Sequence, residues 1–347
     1  MAVAMAIPVA AHGQAGATES PQAPSAGVQA RAVVRVRAEA SGTSHASHAY
    51  QGRNNRQEQS EHFSRKVRIG RDGRVTVSNI AGEISVSAGS GDEVSIDAVK
   101  RTRGDQSELA NVRITVDERA GHVDVRTEGL GFSSRNGRGN SVSVDYTLTV
   151  PAGVAVELKS VSGNIKVTGM HGAVRAETIS GDVTTTDTPK LEAAKSVSGD
   201  VRVSGISTDG DATLGSISGN VTAKAVKVRS LELSSVSGDL SATDVSCDRL
   251  TAKSVSGSFE YAGSLAKGGS YDVNVHSGNV RLTLASPSGF VLNASSFSGS
   301  IRSDLPLTIA GDATDRDRRR MTNHSMRATY GDGSATVTLR TFSGDIA

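Results

Sequence analysis

The chain has 347 residues, with 38 glycines, 7 prolines, 5 tyrosines, 6 phenylalanines and no tryptophan, which is unlike the composition of an ordinary mixed globular enzyme. Its 38 basic and 36 acidic side chains nearly cancel, so no overall field would attract nucleic acid, and we expect no nucleic-acid partner. The single cysteine, Cys247, excludes an intrachain disulfide and a multi-cysteine metal site.

The N-terminal part has the pattern of an export signal followed by a linker. Residues 1–17 contain an apolar run and then small residues, which predicts a signal peptide although the usual basic start is missing. The run is too short to span a bilayer, and no other stretch is long enough, so the sequence predicts no transmembrane segment. Residues 18–65 carry few large apolar side chains and are predicted to be a disordered linker. These features predict an exported protein of the periplasm or cell surface.

Residues 66–150 are predicted to form a short antiparallel β unit that caps the N-terminal end. Apolar and polar side chains alternate in stretches such as 93–99, 122–126 and 142–150, with glycine-rich or charged turns between them, as in half-buried strands. Pro151 then ends the unit, because proline cannot donate to a central ladder.

Residues 151–347 repeat one motif of the type Ser-Val-Ser-Gly-Asp-Val. Its central glycines are Gly163, Gly181, Gly199, Gly219, Gly238, Gly257, Gly278, Gly299 and Gly344. They are 18 to 21 residues apart except for a last step of 45, and Asn79–Ile84 is a degenerate earlier copy. A period near nineteen with β-type composition predicts a β-solenoid of the parallel β-helix or β-roll type. We expect these glycines to form a structural turn ladder, aligned from coil to coil as far as Gly299.

The motif also predicts which side chains face the core. The residue two after each glycine should form one buried column, and these residues are Ile165, Val183, Val201, Val221, Leu240, Phe259, Val280, Ile301 and Ile346. The residue five before it, as in Leu158 and Leu233, should form a second. The two columns differ in alternation parity, so the chain must bend between them, most naturally at Ser-Gly. Phe259, Phe297 and Phe342 further predict a core that widens toward the C-terminus, with Phe297→Ala costing on the order of 3 kcal/mol.

The position after the glycine holds Asn, Asp or Ser, which is typical of turns. Only Asp182 and Asp200 stack two carboxylates in succession. They could resemble the carboxylate pair of a retaining glycosidase, but no aromatic sugar platform lies between Tyr146 and Phe259. His276 with Asp272 and Ser277 is a weak triad candidate, because neighbours along a strand rarely point together. The sequence therefore predicts no catalytic residues.

Neither a metal nor a cofactor is predicted. His45, His48 and His62 are loosely grouped, but two histidines three residues apart lack further ligands. The glycine and aspartate repeats also lack the nine-residue spacing of calcium-binding β-rolls. Residues 310–328 hold the run Asp312–Arg320, in which aspartates offset arginines, and this region is predicted to be a solvated insertion loop.

The segment Val144-Asp-Tyr-Thr-Leu-Thr-Val-Pro-Ala-Gly153, the Ser-Gly-Asp/Asn repeats and the ending Gly333–Ile346 resemble the bacterial putative-adhesin family, a domain of unknown function. The resemblance covers about residues 66–347 and implies an exported β-solenoid-like protein without assigned catalytic residues. The long step before Gly344 departs from the regular stack. The function predicted is a non-catalytic adhesin-like binding or scaffold protein of the cell envelope with an unknown envelope or surface partner. The alternative is a polysaccharide-active β-helix hydrolase or lyase.

Overall fold

A computed structural model describes residues 58–70, 72–129, 142–285, 288–309 and 325–347. Within them the chain forms 22 strands, numbered here in chain order, and one four-residue helix, α1 (Ser107–Ala110). No helix in these ranges has the length and apolar character needed to cross a membrane. The predicted signal peptide, most of the predicted linker and the run Asp312–Arg320 lie outside the described residues.

The strands form one continuous sheet that folds into two faces around a shared core. In spatial order the first face contains β5 (Arg113–Arg119), β6 (His122–Glu128), β2 (Arg74–Ala81), β8 (Ala155–Ser162), β10 (Val174–Ser180), β12 (Leu191–Ser198), β14 (Asp211–Ser218), the second halves of β15 (Val221–Ser237), β16 (Leu240–Ser256) and β17 (Phe259–Ser277), then β22 (Ala335–Ser343), β19 (Phe290–Ser298), β21 (Ser325–Tyr330) and β20 (Thr308–Ile309).

The second face contains β1 (Gln59–Arg68), β4 (Glu93–Thr102), β7 (Ser143–Pro151), β3 (Ile84–Gly89), β9 (Ile165–Thr168), β11 (Val183–Thr186), β13 (Val201–Ser207), the first halves of β15 to β17, and β18 (Val280–Leu284). From β8 to β17 all pairing within each face is parallel. Equivalent motif positions also lie side by side, as Thr178, Ser196 and Ser216 do. The predicted β-solenoid is confirmed.

The bend between the two faces lies at the motif glycine and the residue after it, one residue later than the expected Ser-Gly pair, because each strand of the first face continues through the serine. Both predicted columns are buried, apart from the half-buried Ile301 near the C-terminal end. Strand alternation puts the residues three and five before the glycine inside, and it therefore puts the residue two before the glycine outside. Gly238, for example, has a φ of +151°, a backbone conformation that lets the chain turn inward again at Leu240.

The predicted aromatic widening of the core is wrong for two of its three phenylalanines. Phe259 is buried, but Phe297 is 70% exposed and Phe342 is also exposed. Phe259 follows its glycine by two residues, whereas Phe297 and Phe342 precede theirs by two and so belong to the outward phase before the bend. The cost predicted for Phe297→Ala does not apply to a side chain in this position.

The N-terminal unit is mixed rather than purely antiparallel. β1 pairs with β4, β4 with β7, and β5 with β6 in antiparallel fashion. β2 and β3, however, pair in parallel with β8 and β9, because the degenerate motif copy at Asn79–Ile84 makes the same bend. This first coil, around Gly82, is part of the solenoid. Ordered strand also begins at Gln59, inside the stretch predicted to be linker.

The C-terminal coils are not stacked in chain order. Strand β22 lies between β17 and β19 and pairs in parallel with both. Gly344 therefore follows Gly278 in the stack and Gly299 comes last, contrary to the expected direct step from Gly278 to Gly299. The 45-residue step includes β21, which runs antiparallel along the outer edge of β19, before the chain returns on the other side of that strand.

Candidate functional site

The motif glycines are packed backbone against backbone. A Cβ placed on Gly238 would lie 2.2 Å from the carbonyl oxygen of Gly219, and one on Gly219 would lie 2.2 Å from that of Gly199. Such distances are far inside van der Waals contact, so these positions admit no side chain. Along the stack the order is Gly82, Gly163, Gly181, Gly199, Gly219, Gly238, Gly257, Gly278, Gly344 and Gly299.

A second ladder is formed by the Ser or Thr three residues before the motif glycine. Its hydroxyl is buried and donates a hydrogen bond of 2.8 to 3.2 Å to the carbonyl oxygen of the glycine in the preceding coil of the stack. Those donors are Thr178, Ser196, Ser216, Ser235, Ser296 and Thr341. The hydroxyls of Ser160 and Ser254 occupy the same motif position without a hydrogen-bond partner among the described residues. This hydroxyl ladder was not predicted from the motif.

A third ladder uses the Asn or Asp after the glycine. Its side-chain oxygen accepts a hydrogen bond of 2.7 to 2.9 Å from the backbone N–H at the same position of the next coil, as Asp182 does from Asp200. At the C-terminal end Asp345 accepts from both the N–H and the hydroxyl of Ser300. These bonds hold the pKa of Asp345 below its ordinary value.

The stacked carboxylates Asp182 and Asp200 are engaged within the structure. One oxygen of each accepts a backbone N–H. The other oxygen of each contacts the guanidinium of Arg202, at 3.1 Å for Asp182. The backbone donors and the shared guanidinium explain how two carboxylates tolerate one stack, and they assign no reaction to the pair.

The outward residues two before the motif glycine form a continuous exposed row along the first face. We call six of them the apolar column: Val161, Ile179, Val197, Ile217, Val236 and Val255. Each is a β-branched aliphatic side chain between 42% and 52% exposed. Soluble proteins rarely expose contiguous apolar surface of this extent unless it meets a partner. The alternation that predicts the two inner columns also puts this column on the outside, although it was not predicted to be a binding surface.

The first four residues of the apolar column line a groove of about 840 Å³. Lys159, Glu177 and Lys195 line it, each four residues before a motif glycine, and Arg126 and Glu128 of β6 line its end. Lys159 contacts Glu157 at 2.7 Å, which holds the pKa of that glutamate below its ordinary value. The groove therefore joins an apolar wall to a row of mixed charge.

At the C-terminal end three aromatic rings continue the row, and we call them the aromatic stack. His276 lies on Phe342 with ring centroids 5.0 Å apart, and Phe342 lies on Phe297 at 4.7 Å. His276 thus contacts a ring of the adjacent coil, while Asp272 contacts Arg340 at 3.6 Å. The weak triad candidate is not assembled.

The described residues contain no cluster of His, Cys, Asp or Glu suited to hold a metal ion. His62 is exposed on β1 opposite Val99, and His45 and His48 lie outside the described ranges. Cys247 is buried in the core, and burial raises the pKa of its thiol to about 12.

The chain is similar to solved structures of other bacterial proteins. A chain from Bacteroides fragilis described as a putative adhesin is 11% identical, with 82% of this chain and 95% of that chain covered at a TM-score of 0.40. A chain from Parabacteroides distasonis described as a putative lipid binding protein is 11% identical, with 82% and 96% covered at a TM-score of 0.44.

A search of the curated proteins found no match. The family described as Toastrack DUF4097 matches residues 71–347, which agrees with the resemblance inferred from the Val-Pro-Ala-Gly segment and the Ser-Gly repeats. Because the match spans most of the chain, the protein belongs to the Toastrack DUF4097 family.

Proposed function

We propose that this protein is a non-catalytic, adhesin-like binding or scaffold protein that is exported to the bacterial cell envelope. The observation that carries the proposal is the apolar column, which exposes one Val or Ile on each of six successive coils. Repetition of one surface over many coils creates an extended interface. A catalytic site, in contrast, needs a local constellation that departs from the repeat.

The motif chemistry supports binding rather than turnover. The Asn and Asp side chains after the glycines are occupied by backbone N–H groups, and the paired aspartates share Arg202. These polar groups act in holding coils together, which leaves the apolar column and the groove beside it as the surface offered to a partner.

The test combines localisation with binding to the isolated envelope. We expect fractionation to place the protein in the periplasm or at the surface, and purified protein to co-sediment with envelope preparations. Ile179→Asp with Val197→Asp should reduce co-sedimentation at least tenfold, because two charges would interrupt the column. Thr222→Asp with Ser241→Asp, on the outward side of the second face, is the matched control and should bind normally. Cytosolic location, or turnover of a glycan that Asp182→Asn abolishes, would contradict the proposal.

A further inference from the structure

The side chains of the apolar column are evenly spaced along the solenoid, and this spacing restricts which partners can contact the column over its whole length. Neighbouring coils pair in parallel from β8 to β17, so its side chains recur every ~4.8 Å along the solenoid axis. Taking the column as a binding surface, and so resting on the proposed function, we propose that its partner is a second copy of this chain. The two first faces pack together with their solenoid axes antiparallel.

The spacing favours a second copy over an extended peptide. A peptide laid along the axis repeats its side chains on one face every ~6.6 Å, so it would lose register with the column within about two coils. A second column has the same repeat, so each side chain of one copy can meet a side chain of the other along the whole length of the column. Val and Ile have few χ1 rotamers available, so their ordering in such a contact costs little entropy.

The available area is close to what a stable pair needs. From the coil of Val161 to that of Phe297 the first face extends eight steps, or ~38 Å. Along the strand direction, the face runs from the residue six before the glycine to the serine next to the glycine. These five residue steps give a width of ~17 Å. Because the side chains protrude from the sheet, the accessible area is larger than the product of these two lengths. It is therefore close to the roughly 800 Å² per partner of a standard interface.

Charge favours the antiparallel arrangement. The outward position four before the motif glycine holds Glu177, Lys195, Gly215, Ser234 and Lys253 on successive coils. A two-fold axis at the coil of Gly215 places Glu177 of one copy opposite Lys253 of the other, twice by symmetry, and Lys195 opposite Ser234. Neither Glu177 nor Lys253 makes an ion pair with another described residue, and Gly215 has no side chain to hold the two faces apart. No like charges in this row meet in this register. In the row six before the glycine, Glu157 comes opposite Asp272, and each is already paired within its own chain, with Lys159 and Arg340 respectively.

Sedimentation equilibrium and light scattering of the full chain test the proposal. The expected result is a dimer of twice the 35.7 kDa chain mass. Val197→Asp with Ile217→Asp should make the protein monomeric with an unchanged circular dichroism spectrum, while Thr222→Asp with Ser241→Asp should remain dimeric. A monomer at all concentrations up to about 0.1 mM overturns the proposal, and so does a dimer that the column variants leave intact.

A charge exchange tests the register. Glu177→Lys should raise the dissociation constant about tenfold, and adding Lys253→Glu should restore it. If the double variant dimerises no better than the single one, the antiparallel register is overturned. Failure of dimerisation is distinguishable from failure of the proposed function. A monomer that binds envelope preparations, or phosphatidylcholine vesicles, through the same column would refute the second copy and leave a binding function standing.

Discussion

At the scale of single residues, the buried serine three before the motif glycine donates a hydrogen bond to the preceding coil in some repeats and lacks a described partner in others. Ser216 and Ser254 share a motif position and the same small exposure, yet Ser216 donates to the carbonyl of Gly199 at 2.8 Å and Ser254 has no described partner. Ser216→Ala should therefore lower the free energy of unfolding by about 1 kcal/mol. Ser254→Ala should leave it unchanged or raise it slightly, since it removes a buried polar group without a bond. Denaturant titrations of both variants decide this, and equal losses would contradict it.

The motif glycines differ from other left-handed glycines in being crowded. Gly238 and Gly268 both have positive φ, but a Cβ on Gly238 meets the carbonyl of Gly219 at 2.2 Å, whereas one on Gly268 meets nothing within 4 Å. Gly268→Ala should cost about 1 kcal/mol, from backbone conformation alone. Gly238→Ala should cost roughly 3 kcal/mol or more, because paired coils on both sides prevent the backbone from yielding. If urea unfolding gives similar losses for the two, the close approach does not restrict this position.

At the scale of elements, the C-terminal strand β22 departs from the chain order of the stack, because it lies between β17 and β19. Among the described strands, β19 pairs with β21 and β22 and with no other, so β22 is the described strand that joins it to β17 and the rest of the first face. We expect a chain ending at Tyr330 to lose hydrogen-exchange protection in β19 and β21 by at least tenfold, while β8 to β14 stay protected. A chain ending at Ala285 is the control, since it leaves β17 at the edge without orphaned strands. Retained protection in β19 would show that another contact holds it.

The elements also show what the sequence could and could not establish. Repeat period, glycine positions and alternation fixed the parallel coils and both inner columns, because each repeat makes the same local bend. The order of the last coils was beyond such reasoning. A strand that enters between two earlier ones, as β22 does, has the same local pattern as one added at the end, and only the 45-residue step before Gly344 signalled an irregularity.

The exposed surface was missed for a different reason. Phe297 and Phe342 were assigned to the core because they occupy columns held by Val, Ile or Leu in earlier coils, although alternation from Ala294 and Leu339 already placed them outside. Hydrophobic type is a weaker guide than phase when a repeat exposes an apolar row for a partner. The parallel pairing of β2 was obscured similarly, because Asn79–Ile84 preserves the bend with only part of the motif.

At the scale of the whole molecule, one core runs through all coils and encloses several groups that ionise in alkali. Burial raises the pKa of Tyr146 to about 12 and that of Tyr271 to about 12, and it also raises the pKa of Tyr261. Tyr146 bonds to Thr127 at 2.7 Å, and Tyr271 donates to the carbonyl of Cys247 at 2.6 Å. Because these tyrosines lie in the N-terminal coil and in the middle coils, the stability of both regions should depend on pH in the same way.

The sign of that dependence follows from the raised values. Above the ordinary tyrosine pKa of 10.0 the unfolded chain releases phenol protons that the native chain still holds, so the tyrosine contribution to stability is full below about pH 10 and is lost as pH rises toward 12. A shift of this size corresponds to roughly 2–3 kcal/mol for one phenol. Guanidinium unfolding midpoints at pH 8, 10 and 11.5 should decline in that order. Tyr271→Phe should be less stable than the parent at pH 8, because it loses a buried hydrogen bond, but should decline less steeply. Equal slopes for parent and variant would mean that Tyr271 ionises in the native state as readily as in the unfolded chain.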